Sequence, residues 1–168
     1  MSVQTLHKEQ LIKKPIDEVF TFFKKPENLA IITPPSLAFQ ILTPLPIKMQ
    51  TGALIDYTIR IRGLLVRWTT MVAEYNPPFS FVDVQIRGPY AFWHHAHIFE
   101  EAEEGTIMTD HVQYILPFGF LGRLVHRFTA EGPLDNILEY RARKIEEYFP
   151  IDITDAPSKE MLRKAARE

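Results

Sequence analysis

The stretch from Phe79 to Pro117 constrains the fold of this chain most strongly. It contains three segments that alternate apolar and polar residues, separated by Gly88-Pro89 and by an acidic turn at 102–105. Alternation with a period of two is typical of half-buried strands, and short connections that contain glycine are typical of hairpins. The sequence therefore predicts antiparallel hairpins here, with three of the six histidines of the chain on the middle strand.

Weaker patterns on either side of these hairpins complete the architecture. The sequence predicts further strands at 3–12, 38–43, 53–61 and 64–74, an amphipathic helix at 15–24 with one more turn at 27–32, and a long helix at 133–149. Gly119 and Gly122 mark the exit from the sheet. An antiparallel sheet with helices on one side is an α+β design. We predict one domain over residues 1–150, followed by a polar tail at 151–168.

Composition excludes several classes of function. The 168 residues include no cysteine, so disulfides, thiolate metal sites and a cysteine nucleophile are excluded. A net charge of -2 gives no support for nucleic-acid binding, which leaves a basic footprint. No apolar run approaches the length of a membrane-spanning helix, and the N-terminus has no signal-peptide core. We expect a cytoplasmic protein without membrane insertion, and the sequence predicts no oligomeric state.

Turns at 76–78, 88–89 and 102–105 assign each strand residue to one of two faces, because the side-chain period of a strand is two. The face with the large aromatic residues is predicted to be the inner one. It carries Trp68, Thr70, Val72, Glu74, Phe81, Asp83, Gln85, Trp93, His95, His97, Phe99, Met108, Asp110, Val112 and Tyr114.

This register brings two histidines together with two acids. We expect His95 to lie opposite Asp83 and His97 opposite Asp110, while His94 faces outward. Buried polar groups are costly unless they are paired. Three roles for the four inner residues stay open: a satisfied network that fixes the strand register, the orientation of a ligand, and proton transfer.

A metal site is a further alternative, because two imidazoles on one strand face with a carboxylate beside them could hold zinc or iron. The spacing matches no dedicated metal motif. The sequence also has no glycine-rich phosphate loop and no serine-nucleophile motif. We therefore predict no metal and no cofactor.

A series of short motifs resembles the START-like (SRPBCC) superfamily, and within it the polyketide cyclase/dehydrase-type ligand-binding group. The motifs are PIDEVF at 15–20, PEN at 26–28, Pro34, Gly52, WTT at 68–70, PPF at 77–79, FVDVQ at 81–85, GPY at 88–90, WHHAH at 93–97 with Phe99, Thr106, Asp110, Tyr114, PFG at 117–119 and YR at 140–141. The resemblance covers about residues 3–149.

The resemblance implies a helix-grip fold. In this fold a curved seven-stranded antiparallel sheet wraps around a long C-terminal helix, two short helices follow the first strand, and the first strand pairs with the last. A hydrophobic cavity lies between sheet and helix. The chain lacks the histidine and cysteine ligands of an iron–sulfur centre, so the hydroxylase branch of the superfamily is not supported.

The first functional hypothesis is a carrier or sensor of a small hydrophobic or aromatic ligand that is lipid-, polyketide- or quinone-like. The residues predicted to bind it are Trp68, Phe81, Asp83, Gln85, Trp93, His95, His97, Phe99, Asp110, Tyr114, Leu138 and Arg141. On the long helix, the stem of Arg141 is expected to lie on apolar surface with its head in water.

Two alternatives remain beside ligand binding. The first is an aromatase/cyclase or dehydratase-type enzyme, with His95, His97, Asp83 and Asp110 as catalytic candidates. The second is a protein-interaction module that uses the polar tail or the arginines at 60, 62 and 67.

Overall fold

Seven strands and two helices make up the fold in a computed structural model, which describes residues 2–61, 63–117 and 133–150. The strands are β1 (Gln4–Ile12), β2 (Gln40–Ile41), β3 (Leu54–Ile61), β4 (Leu64–Asn76), β5 (Ser80–Arg87), β6 (Phe92–Ala102) and β7 (Gly105–Ile115). The helices are α1 (Ile16–Phe23) and α2 (Pro133–Tyr148), and two 3-10 turns at Pro26–Ala30 and Pro35–Leu37 lie between α1 and β2. The predicted α+β architecture is confirmed.

The sheet is antiparallel throughout and has the order β1-β7-β6-β5-β4-β3-β2. The pairing of β1 with β7, which the family resemblance implied, is therefore confirmed. Gly105 makes the start of this pairing possible, since its φ is +142° and an added Cβ would lie 2.2 Å from the carbonyl oxygen of Ile12. Next to it, the Thr106 hydroxyl donates a hydrogen bond of 2.8 Å to the Lys14 carbonyl. The β6–β7 turn is thus fixed against the end of β1.

Helix α1 supplies much of the core that covers the sheet. Pro15 precedes its first turn, and Asp17 and Glu18 lie in that turn, where negative charge favours the helix dipole. The apolar face of α1 enters one cluster with residues of the sheet and of α2. That cluster contains Ile12, Ile16, Val19, Phe20, Phe22, Phe23, Ile32, Phe81, Phe99, Met108, Ile145 and Phe149.

One residue predicted to face inward lies on the other side of the sheet. The β4–β5 pairing shifts between Val72 and Glu74, so Glu74 lies opposite Val82 and Tyr75 lies opposite Phe81. An inserted residue reverses the alternation of a strand. The prediction was wrong for Glu74 because alternation alone does not reveal a bulge.

Several predictions concern residues outside the described part of the chain. The sheet exit at Gly119 and Gly122, Arg62, and the tail at 151–168 all lie there, and the domain division at 150 stays a prediction. Among the described residues, no helix is both long and apolar enough to cross a bilayer.

Candidate functional site

A cavity of about 160 Å³ lies against the inner face of the sheet. Strands β3 to β6 form one wall, the end of α1 and the first 3-10 turn form another, and α2 contributes one arginine. The described lining residues are Phe22, Phe23, Lys25, Pro26, Asn28, Leu29, Ile32, Phe39, Met49, Ile55, Tyr57, Trp68, Thr70, Val72, Phe81, Asp83, Trp93, His95, His97 and Arg141. Most of these side chains are apolar or aromatic, as in small-molecule sites generally.

The structure brings seven of the residues predicted from sequence to this wall. These are Trp68, Phe81, Asp83, Trp93, His95, His97 and Arg141. The predicted register is also confirmed, since His95 pairs with Asp83 across β5–β6 and His97 pairs with Asp110 across β6–β7.

The other five predicted residues do not line the described cavity wall. Gln85 instead holds the β5–β6 turn, because its amide donates to the Tyr90 carbonyl at 2.8 Å and accepts from the Tyr90 N–H at 3.2 Å. Phe99 lies in the hydrophobic core cluster, and Leu138 is buried. Tyr114 packs its ring against that of Tyr90, 5.5 Å away. Asp110 contacts the inner histidines rather than the cavity.

Sequence reasoning missed the wall opposite the sheet. Asn28 and Leu29 come from the first 3-10 turn, and Phe39 and Met49 come from the irregular chain on either side of β2. These segments have no periodicity that would assign their side chains to a face. Phe23 could have been predicted to line the cavity, because helical spacing places it on the apolar face of the predicted helix at 15–24.

Asp83, His95, His97, Asp110 and Arg141 form a polar cluster, here called the His–Asp cluster. Its centre is Asp110 Oδ1, which lies 2.7 Å from His95 Nε2 and 3.1 Å from Arg141 Nη1. His97 Nδ1 is also 3.1 Å from this oxygen, but out of line for a hydrogen bond. The prediction that the head of Arg141 lies in water was wrong, because the residue is only 9% exposed and pairs with Asp110.

The cavity side of the His–Asp cluster is organised around Asp83. Its Oδ2 lies 3.0 Å from His97 Nε2, within hydrogen-bond distance, and 3.8 Å from His95 Nδ1. The two imidazole rings lie between the two carboxylates with centroids 3.8 Å apart, and His97 also stacks on Phe81 at 4.2 Å. Each histidine therefore directs one nitrogen toward Asp110 and the other toward Asp83.

Both acids of the His–Asp cluster remain ionised despite their burial. Burial opposes the charge of Asp110, but the charge of Arg141 and the contacts with both histidines hold its pKa well below the usual value. Burial also opposes the charge of Asp83, but the hydrogen bond from His97 and the nearby positive charges lower its pKa.

The two histidines differ in their affinity for a proton. Burial lowers the pKa of His95, and the charge of neighbouring His97 lowers it further. For His97 the contacts with Asp110 and Asp83 outweigh burial, and its pKa is raised. One proton shared by the pair therefore resides on His97. The charges of His97 and Arg141 then balance those of the two acids.

We expect the stability of the protein to depend on His97 at alkaline pH. A raised pKa in the folded state gives stability that is present below the unfolded pKa of about 6.5 and is lost as pH rises through the folded pKa. The difference in free energy of unfolding between wild type and His97→Gln should therefore shrink as pH rises above about 6.5. Urea denaturation followed by circular dichroism measures it.

His95→Gln is the matched control for this pH dependence. Because the pKa of His95 is lowered, its contribution is present above the unfolded pKa and is lost as pH falls. Asp83 and Asp110, whose pKa values are lowered, keep their charges at these pH values. A wild-type advantage over His97→Gln that grows with rising pH would contradict the assigned proton position.

The described residues fit a hydrogen-bonded network better than a metal site. Asp83, His95 and His97 each offer one ligand atom, and these atoms lie within 4.8 Å of one another. However, the two rings lie almost face to face, with an interplanar angle of 35°. One ion cannot lie in the plane of both rings at a zinc–nitrogen distance of about 2.0–2.1 Å unless one ring rotates. The observed contacts are already those of imidazole–carboxylate pairs.

Comparison with known proteins finds similar structures but no similar family model or curated sequence. No protein-family model matches the chain, and no curated protein matches it significantly. Protein CV1439 from Chromobacterium violaceum superimposes with a TM-score of 0.68 at 12% identity, over 89% of this chain and 99% of its own. Major latex-like protein 151 from Panax ginseng superimposes with a TM-score of 0.65 at 14% identity, over 88% of this chain and 97% of its own. Ara h 8.0201 superimposes with a TM-score of 0.61 at 14% identity, over 88% of this chain and 98% of its own.

Sequence identities this low show a shared fold but give no information about a ligand. The matches extend over nearly the full length of each neighbour, and the sheet of this chain closes β1 against β7 beside α2. The chain therefore shares the helix-grip fold of these structures.

Proposed function

We propose that this protein binds a small, largely apolar ligand of one or two rings in the cavity between the sheet and its helical cover. The observation that carries the proposal is the cavity of about 160 Å³ with its predominantly aromatic and aliphatic lining. An apolar cavity of about 150 Å³ accommodates a ring the size of benzene. Each Å² of apolar ligand surface removed from water contributes roughly 25 cal/mol. A lipid-, polyketide- or quinone-like compound would place one ring or a short chain segment here.

The two tryptophans of the chain make this proposal easy to test. Trp68 and Trp93 both line the cavity, and the sequence contains no other tryptophan. We expect indane, a two-ring hydrocarbon, to change the intrinsic fluorescence on binding and to give a saturable signal in titration calorimetry. The absence of both signals at the solubility limit of indane would contradict the proposal.

A pair of leucine variants locates the binding site. Leu29 lines the cavity, whereas Leu42 is 44% exposed and does not. Leu29→Phe should fill part of the cavity and weaken indane binding, while Leu42→Phe should leave it unchanged. Equal affinities of the two variants would place the ligand elsewhere.

A cyclase or dehydratase-type enzyme is the second candidate function. The observation that favours it is the pair of adjacent histidines, both on the cavity wall, whose pKa values are displaced in opposite directions. Such a pair supplies an acid and a base at one site. His95→Gln and His97→Gln would each reduce turnover of a polyketide substrate, and unchanged turnover in both variants would exclude this function.

The third alternative, a protein-interaction module, gains no support from the described residues. Arg67 of the predicted arginine surface already pairs with Asp56, at 2.6 Å.

A further inference from the structure

We propose that the ligand carries a neutral acceptor oxygen, such as a ring ketone, which is recognised by the indole N–H of Trp68 and by the Nε–H of Arg141. This inference rests on the proposed function and specifies the chemical class of the ligand.

The first donor is Trp68 Nε1. It is buried and has no hydrogen-bond partner within the described part of the protein. Its surroundings consist of aromatic rings: Tyr57 stacks at 5.9 Å, Tyr90 lies at 5.6 Å and Trp93 at 5.2 Å. A buried donor without a partner is costly. Because Trp68 lines the cavity, an acceptor on the bound ligand would satisfy it.

The second donor is Arg141 Nε. The guanidinium binds Asp110 through Nη1, but its Nε is buried and without a partner among the described groups. Arg141, Tyr57 and Trp68 all line this cavity. The ring of Tyr57 stacks on Trp68 at 5.9 Å, and the positive charge of Arg141 acts against the rise that burial causes in the pKa of the Tyr57 hydroxyl.

The acceptors on the same wall are already engaged. Asp83 pairs with His97, and the Tyr57 hydroxyl lies 3.3 Å from that of Thr70. The remaining unpartnered buried nitrogen on the described cavity wall is His97 Nδ1, which lies against Asp110. The cavity therefore offers donors, and a hydrocarbon or a ligand with donors alone would leave them unsatisfied.

Charge balance favours a neutral oxygen over a carboxylate. The two acids of the His–Asp cluster are matched by Arg141 and His97, and Lys25, the other cation of the described lining, is exposed to solvent. A buried carboxylate on the ligand would therefore add an uncompensated charge. Burying an unpaired charge costs far more than burying a carbonyl. A ketone gains the two donors without that penalty.

Indane and 1-indanone form a matched pair of probes, because they share one ring skeleton and differ in a single carbonyl. We expect calorimetry to show about tenfold tighter binding of 1-indanone, since a site with buried donors rejects the analogue that lacks the acceptor. Equal affinities would overturn the inference and leave the proposed function intact. Failure of both probes to bind would overturn the proposed function first.

Two tryptophan variants assign the preference to a single N–H. Trp68→Phe should remove most of the preference for 1-indanone over indane, which is measured as the ratio of the two affinities in that variant. Trp93→Phe also removes an indole from the wall but should retain the preference, because Trp93 Nε1 is not among the unpartnered buried donors. Equal loss of preference in both variants would overturn the role of Trp68.

Nuclear magnetic resonance distinguishes a hydrogen bond from Trp68 to the ligand from a purely structural role of Trp68, because only the hydrogen bond shifts the indole N–H resonance. The chain has two indole N–H resonances, and Trp68→Phe identifies the one from Trp68. Saturation with 1-indanone should shift this resonance downfield, as hydrogen bonding requires, whereas indane should not.

For Arg141, the Arg141→Lys variant keeps the charge beside Asp110 but lacks the Nε–H, and it should reduce the preference for the ketone. An unchanged preference would remove Arg141 from the site.

Discussion

Replacing Asp110 with alanine should lower the free energy of unfolding by about 3–5 kcal/mol, the cost of removing one partner from a buried ion pair. Asp110 Oδ1 is the common partner of His95 Nε2, at 2.7 Å, and of Arg141 Nη1, at 3.1 Å. Without it the guanidinium stays buried beside an apolar surface, and the proton on His97 loses one of its two carboxylates. Urea denaturation at neutral pH, followed by far-ultraviolet circular dichroism, measures the loss.

Asp56→Ala is the matched control for this prediction, since it breaks an ion pair of similar geometry at the surface of the same sheet. Asp56 lies 2.6 Å from Arg67, and the Arg67 side chain is 51% exposed. Exposed pairs contribute about 0–1 kcal/mol, and the Thr69 hydroxyl also donates a hydrogen bond to this carboxylate, so this variant should lose roughly 1–2 kcal/mol. A loss in Asp110→Ala no larger than in Asp56→Ala would mean that water reaches the His–Asp cluster freely.

The contribution of Arg141 to this loss can be separated with a second variant. In Asp110→Leu/Arg141→Met, both charges are replaced by apolar groups of similar size, which is often neutral for a buried pair. The double variant should therefore be more stable than Asp110→Ala. If it is less stable, Arg141 stabilises the fold through contacts other than its ion pair with Asp110.

The alternation of the strands was enough to predict most of the sheet and to place four of the five residues of the His–Asp cluster on its inner face. Phe79 to Pro117 carries turn signals at both hairpins, and these fix the register that places His95 opposite Asp83 and His97 opposite Asp110. A register error of one residue would have moved these side chains to the outer face. The hydrogen bonds themselves run diagonally, from His95 to Asp110 and from His97 to Asp83, which pairing alone does not predict.

Features that depend on contacts between distant segments could not be predicted. The ion pair of Arg141 with Asp110 joins α2 to β7 across 31 positions of the chain, and local rules place a lone arginine on an apolar helix face in water. The bulge that turns Glu74 outward leaves no compositional mark. The cavity wall around Leu29 and Met49 is formed by irregular chain, whose side-chain directions follow from packing rather than from periodicity.

Phe99→Ala is expected to be as destabilising as loss of Asp110, for a different reason. The residue was predicted to contact ligand, but it is 1% exposed and packs its ring against Phe20 at 5.5 Å and Phe23 at 5.3 Å. Removal of a fully buried phenylalanine costs about 3–5 kcal/mol, because apolar burial is lost and a cavity remains.

The control for Phe99→Ala is Phe79→Ala. Because Phe79 is 52% exposed, this substitution should cost less than about 1 kcal/mol. A loss below about 2 kcal/mol in Phe99→Ala would mean that neighbouring side chains refill the space. In that case Phe81, which stacks on Phe99 and also lines the cavity, is the side chain placed to move. Indane affinity would then change together with stability. If Phe81 stays in place, Phe99→Ala should lower stability and leave indane affinity unchanged. The core beneath α1 is then energetically separate from the cavity that α1 helps to enclose.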